Sequence, residues 1–276
     1  MNTGYDIQNE NSDYLKTNHI DFMSACSAFK GPESLDPRSW YNIETQWATS
    51  SCVGNALTGP AEISYRNKTG KIGQFSRWYA YLMSQKYSDV IQPGYRYFGR
   101  DGGALIAGAR KAAVENGLCF ESTYPFPATA GNQQVYTTKI TPSATDEALQ
   151  FKIGSSSTIG TTQDPFAEAH TYLESGLGGI LIGAPWPFNI DSNHTVTNFR
   201  NYGNQGHAWC ILGYLKDKLI AANSHGKEFE DCGFFYLDRR GFNEMITTRN
   251  TVAVGLSDLT VPRGRFVDWS KESMFS

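Results

Sequence analysis

An apolar run, Ala208-Trp-Cys-Ile-Leu, is separated by the polar pair Lys216-Asp217 from a second run, Lys218-Leu-Ile-Ala-Ala222. Two short runs around a tight polar turn read as adjacent antiparallel strands. This pairing constrains the back half of the chain to a sheet, and it brings two particular side chains together. His207 opens the first strand and Asn223 ends the second. An amide oxygen at that position can hold one imidazole nitrogen and so set the tautomer and orientation of the ring. Further strands are expected at 179–184, 233–237 and 251–256, with a helix from Pro165 toward Gly176 that Asp164 caps.

The front half reads differently. Helices are expected over 52–66, 76–87 and 104–116, with Gly70 and Gly117 as stops for two of them. Ser50 and Ser51 are residue types that cap helices, which places Cys52 at the positive end of the first helix dipole. A helix start and a neighbouring imidazolium both lower a thiol pKa from its usual value of about 8.5, and the thiolate is the nucleophile. Gln46 lies just upstream, where its side-chain N–H, with the backbone N–H of Cys52, suits the oxyanion of an acyl-transfer intermediate. Pro60 falls inside this helix, and the lost bond to the carbonyl of Ala56 predicts a kink or early break there.

Each of these residues also has an ordinary structural reading. A single cysteine is most simply a small buried hydrophobe. His207 alone is a satisfied strand-edge histidine, and Asn223 alone is a strand-end turn residue. In this order, and in the settings of helix start, strand start and strand end, Gln46, Cys52, His207 and Asn223 together point to thiol-dependent acyl transfer.

The segments that carry these residues are Gln46-Trp-Ala-Thr-Ser-Ser-Cys52-Val-Gly-Asn-Ala, Gly206-His207-Ala-Trp-Cys-Ile-Leu-Gly-Tyr214 and Asn223-Ser-His-Gly226. They resemble the papain-like cysteine peptidases. The likeness runs from about Leu35 to about Leu256 through Leu35-Asp-Pro-Arg-Ser-Trp40, Phe75-Ser-Arg-Trp-Tyr-Ala-Tyr-Leu82, Asp101-Gly-Gly103, the Tyr124-Pro-Phe126 corner and Asp231-Cys-Gly-Phe-Phe-Tyr-Leu237. Cys52-Val-Gly-Asn-Ala56 suits the bacterial and phage-type branch. The resemblance implies that Gly102 and Gly103 line the cleft, with Gly103 offering backbone hydrogen bonds to an extended peptide. It also implies that Gly206 and Ala208 border the pocket for the residue second upstream of the scissile bond. Thr49 and Arg100 stand where secreted relatives carry cross-linking cysteines, and His225 stands where relatives have a tryptophan over the His–Asn pair.

The balance of 24 basic and 27 acidic residues, with no long run of either sign, argues against a dedicated nucleic-acid or membrane-surface binder. No apolar stretch approaches a membrane span, and the polar start Met1-Asn-Thr-Gly-Tyr-Asp lacks the features of a secretory signal. Five cysteines (26, 52, 119, 210 and 232) form an odd set, which fits a reducing cytosol and leaves the sequons at Asn67 and Asn193 without sugar. His225 with Cys232, and His207 with Cys210, lack a second pair at zinc-ligand spacing, so no metal or other cofactor is expected.

The expected fold is α+β, a papain-like pair of lobes: helical for 35–155 and carrying the nucleophile, antiparallel and β-barrel-like for 156–256 and carrying His207 and Asn223, with the active-site cleft between. Residues 1–34 form an N-terminal arm with an apolar patch at 20–29, and 257–276 form a C-terminal tail. The arm is too short for a family propeptide and is expected to wrap the body. The Ser-, Thr- and Gly-rich stretch 142–164 reads as a loop-rich crossing. Trp186, Phe188 and Phe199 are expected to wall the cleft or fill the core. The expected activity is hydrolysis of a peptide or protein substrate through a thioester on Cys52. The open alternatives are an amidase or acyltransferase with the same triad and a binding or structural protein that keeps the fold without the chemistry; the oligomeric state is left open.

Overall fold

A computed structural model describes residues 4–6, 8–10, 33–127, 139–199, 205–248 and 250–262. The apolar patch at 20–29, Cys26, and most of the arm and tail lie outside the described residues. The first helix, α1 (Cys52–Thr69), is buried on every side from Cys52 to Tyr65, as befits a helix that runs through a core rather than over it. It ends at Gly70, whose φ of 69° lets its N–H turn back to the carbonyl of Arg66. Of the kink or early break expected at Pro60, the break does not occur, and the helix continues to Thr69. One missing N–H in mid-helix is outweighed by the apolar burial of the residues on both sides.

Packed on α1 are α2 (Arg77–Ile91) and, against α2, α3 (Ile106–Glu115). Ser76 caps α2 by accepting the Tyr79 N–H (3.0 Å). The back half supplies β1 (Ile153–Thr158), β2 (Gly178–Trp186), β5 (Gln205–Leu215), β6 (Lys218–Ala222), β7 (Phe234–Asp238) and β8 (Val252–Leu259). They form one sheet in the order β1-β8-β2-β5-β6-β7, with every neighbouring pair antiparallel. A small ribbon, β3 (Asn189–Ile190) with β4 (Val196–Asn198), stands apart. Helices α5 (Pro165–Glu174) and α6 (Arg239–Ile246) complete the back half.

The sheet is buried on both faces, and alternation along each strand decides which core a side chain joins. Leu181, Ala208, Val252 and Val254 join Val53, Leu57 and Trp78 of the helical side. Ile180, Ile182, Trp209, Ile211 and Ala253 join Phe166 and Tyr172 of α5 and Phe242 of α6. Because a one-residue slip would exchange these two sets, the register is strongly fixed. Truncating a core side chain such as Ile180 or Ile182 would cost about 2–5 kcal/mol.

Residues 142–164 are not a plain crossing. Thr141 accepts the Ala144 N–H and Pro142 takes the first position of α4 (Pro142–Ala148). The Ser-rich segment that follows is edge strand β1, paired with β8 from Ile153↔Leu259 to Thr158↔Val254. Two consecutive serines of this strand, Ser156 and Ser157, are buried on opposite faces by tertiary packing, which their polarity does not announce. No described helix is long and apolar enough to cross a membrane. The four described cysteines, Cys52, Cys119, Cys210 and Cys232, are all free.

Candidate active site

The β5–β6 hairpin forms as expected, with Leu215↔Lys218 closing a two-residue connection, a bulge between Ile211 and Gly213 shifting the register by one, and Cys210↔Ala222 pairing near the open end. That end holds His207 and Asn223. Nε2 of His207 lies 2.8 Å from Oδ1 of Asn223. The oxygen can only accept, so Nε2 carries the hydrogen and Nδ1 keeps the basic lone pair. Nδ1 is buried with no hydrogen-bond partner among the described residues.

Asn223 is itself held from two sides. Its Oδ1 also accepts the Ser224 N–H (2.8 Å), and its Nδ2 donates to Nδ1 of His225 (3.2 Å). The His225 ring stacks on His207 with centroids 4.7 Å apart and planes 15° apart. Trp186, at the end of β2, meets both rings edge-on, 4.7 Å from His207 and 5.5 Å from His225. Thus the His225 imidazole stacks on the pair, and a tryptophan from another strand adds cover that sequence reading assigned only loosely to the cleft wall.

Cys52 is the first residue of α1 and fully buried. Ser51 precedes the helix but makes no side-chain cap bond; its hydroxyl sits instead between Thr49 Oγ1 (2.6 Å) and Asn55 Nδ2 (3.0 Å). The turn before Cys52 is tied down by Asp101, whose carboxylate accepts the Ser50 N–H (2.9 and 3.1 Å) and the Tyr81 hydroxyl (2.9 Å). The Ala208 amide, one residue after the imidazole, is directed at the Cys52 sulfur, as are the amides of Val53, Gly4 and Tyr5. Burial nevertheless pushes the thiol up to about 12. Burial, aided by His225 and opposed by the Asn223 bond, brings His207 down to about 3. Both groups are therefore neutral in this closed arrangement.

Gln46 is buried, with Nε2 donating to the Thr49 carbonyl (2.8 Å) and Oε1 accepting the Ser224 hydroxyl (2.7 Å). Its backbone N–H also bonds the Ser224 carbonyl (2.9 Å). The glutamine is thereby fastened to the residue that follows Asn223.

What closes the site is the chain's own N-terminal segment, and no periodicity in the sequence announced it. The Gly4 N–H lies 3.1 Å from the Cys52 sulfur. Tyr5 pairs in parallel with Ala104 and antiparallel with Gly206, so a peptide main chain runs between the two walls. The Ala104 N–H reaches the Gly4 carbonyl (2.7 Å) and the Asp6 N–H reaches the Ala104 carbonyl (3.1 Å). Gly103 lies directly beneath: a side chain there would come within 2.2 Å of the Gly4 oxygen, and its φ of 84° also demands glycine. Gly103 gives its own N–H to the Tyr81 hydroxyl (3.1 Å) and its carbonyl to Gln85 (3.0 Å), and Gly102 is exposed. Main-chain pairing thus falls to Ala104, which sequence reading did not single out. The segment is pinned further along by Asp6, which accepts the Tyr97 hydroxyl (2.9 Å), and by Glu10, which accepts the Ile106 and Ala107 amides at the start of α3 (2.6 and 3.0 Å). The sulfur faces an N–H rather than a carbonyl carbon, so the segment lies in the cleft without being posed for attack.

No family model matches the chain. In sequence it is 24% identical over 230 residues to cathepsin S of Bos taurus, covering 78% of this chain and 62% of that protein. In structure it is similar to xylellain, a cysteine protease from Xylella fastidiosa (TM-score 0.66, 19% identity, 95% of this chain and 97% of that one). It is also similar to procathepsin L 3 of the Tenebrio molitor larval midgut (TM-score 0.61, 15% identity, 93% and 76%) and to the clostridial cysteine protease Cwp84 (TM-score 0.62, 14% identity, 83% and 58%). With six described helices against an antiparallel six-stranded sheet, the chain has the fold of the papain-like cysteine proteases.

Proposed function

We propose that this protein is a cysteine peptidase that cleaves peptide bonds through a thioester on Cys52. The observation that carries the reading is the polypeptide already bedded over the sulfur, paired with Ala104 on one wall and Gly206 on the other. A groove that takes an extended main chain beside a cysteine at a helix start, with a histidine oriented by an asparagine across a hairpin, suits peptide hydrolysis. Withdrawal of residues 4–6 lets water reach both groups. The thiol then falls, the imidazole rises, and the proton passes from Sγ to His207 to give an ion pair. The thiolate adds to the substrate carbonyl, and the oxyanion is held by the Cys52 N–H and the Gln46 amide. His207 gives its proton to the departing amine as the C–N bond breaks. It then takes one from the water that hydrolyses the thioester, which restores the thiol. Asn223 holds the ring throughout. Gly102, Gly103, Gly206 and Ala208 border the groove. The free cysteines favour a reducing compartment such as the cytosol.

Cys52→Ala should abolish both peptide hydrolysis and labelling by a thiol-directed epoxide; turnover equal to that of the parent would remove the proposal. A second reading, a papain-fold binding protein without chemistry, draws on the closed site with its neutral thiol. The two separate on whether Cys52 reacts with the epoxide at mildly acidic pH once the segment is displaced, because an unactivated thiol is inert there.

A further inference from the structure

Away from the cleft, a hollow of about 440 Å³ opens on the helical side between the end of α1 and two loops, lined by Tyr65, Ile72, Gly73, Gln74, Phe120 and Glu121. Its volume falls in the range of small-molecule sites. The floor is aromatic. The Tyr65 ring meets Phe120 edge-on with centroids 5.4 Å apart, and Phe120 in turn stacks on Phe75 (4.9 Å, planes 7° apart). Gly73 keeps this floor open, since a side-chain carbon there would fall 2.7 Å from the Tyr65 ring and 3.1 Å from the Phe120 ring. Ile72, 65% exposed, adds an apolar wall.

Glu121 brings charge to the hollow. Its Oε1 accepts from the Arg77 guanidinium (3.1 Å) and the Phe126 N–H (2.6 Å), while its Oε2 is buried with no hydrogen-bond partner among the described residues. Arg77 also pairs with Glu44, to which Gln74 donates. Two carboxylates thus share one guanidinium, which leaves one net negative charge beside the hollow. Burial pushes the neighbouring Glu62 well above the usual carboxylate range, and the charge of Glu121 adds to the push. A buried carboxylate oxygen without a donor is costly, and a bound cation supplies both the opposite charge and the donor. The aromatic floor favours the same ligand, because a cation is attracted to the face of a ring. We propose that the hollow binds a small flat organic cation, an arylamidinium or guanidinium, with its body on Tyr65 and Phe120 and its N–H groups toward Glu121. Neither the cleft nor the chemistry at Cys52 enters this inference, so it stands or falls apart from the peptidase reading.

The test titrates the isotope-labelled full chain at low ionic strength with benzamidine, and with benzamide as a neutral counterpart of nearly the same shape, and follows the amide NMR signals. Benzamidine should shift the Gly73, Gln74 and Ser122 amides and bind about tenfold more tightly than benzamide, the worth of one charge-assisted hydrogen bond at a half-open wall. Glu121→Gln should bring the two ligands to within about twofold of each other. Because that change also unbalances Arg77, a second variant, Ser122→Lys, puts a positive charge on an exposed lining residue and leaves the Arg77 pairs in place. It should weaken benzamidine by about threefold or more and leave benzamide within about twofold. Equal affinities of the two ligands for the parent, or amides at 73, 74 and 122 that stay unmoved up to the solubility limit of benzamidine, would overturn the inference. Equal weakening of both ligands in Ser122→Lys would overturn it as well, since charge would then play no part in recognition.

Discussion

Removing the Tyr5 side chain should open the site, and the size of the effect follows from its burial. The ring is 4% exposed, rests on Gly183 and gives its hydroxyl to Asn250. Truncating a buried aromatic to alanine costs about 3–5 kcal/mol when the surroundings cannot collapse. Water can enter this pocket once the ring is gone, so about 3 kcal/mol is the appropriate end of that range. At 1.4 kcal/mol per factor of ten, the fraction of molecules with Cys52 uncovered should rise about 100-fold. Alkylation with a small haloacetamide near pH 7.5, followed by peptide mapping, reads this fraction when opening is faster than labelling. Mapping is needed because Cys232 is exposed and will label regardless. Gly4→Ala should act in the same direction by an independent route, since its new carbon would fall 1.6 Å from the Ser50 carbonyl oxygen. A Cys52 labelling rate within twofold of the parent in both variants would refute the claim that residues 4–6 control access to the sulfur.

Two further perturbations test the surroundings of the site. Between pH 6.5 and about 3, an unfolded or opened chain protonates His207 while the closed protein, with His207 held at about 3 by burial, refuses the proton. Folding is unopposed by this group above pH 6.5 and increasingly opposed below it; His225, held at about 4 by burial, acts likewise over a narrower window. The Tm should therefore fall between pH 6.5 and 4.5, and fall less in His225→Phe; a flat or rising Tm in the parent would contradict the burial of neutral imidazoles. Arg77 pairs with Glu44 and Glu121 (3.1 Å to the latter) with only 8% of its side chain exposed. Arg77→Met should cost about 3–5 kcal/mol in urea unfolding, because two carboxylates lose their partner, and a loss under 1 kcal/mol would show that water already solvates them.

Much of the site was legible because its parts are local. A two-residue turn between apolar runs pairs β5 with β6 and so brings His207 near Asn223, although a bulge between Ile211 and Gly213 that the sequence did not announce shifts the register by one residue on the way. The start of α1 at Cys52 was expected from Ser50 and Ser51, but Ser51 makes no side-chain cap bond and the apolar residues beyond are what the helix buries. Where tertiary packing outweighs local preference, the reading failed: α1 runs through Pro60, and a Ser-rich stretch becomes an edge strand because β8 offers it a ladder.

Other features depend on surfaces that exist only after folding. Residues 4–10 are short, polar and without period, so nothing in their composition states a conformation. Of these, residues 4–6 and 8–10 acquire one by pairing with the walls at Ala104 and Gly206, and by the capture of the Tyr5 ring, Asp6 and Glu10. Asp101 under Ser50 and Trp186 over His207 likewise join elements distant in the chain. The sequence by itself determined where the proposed nucleophile, base and orienting amide lie, because Cys52 opens α1, His207 falls near the start of β5 and Asn223 follows β6. Only the tertiary structure decided that the sulfur is covered, because a cleft is the space left between packed elements and what fills it has no local code.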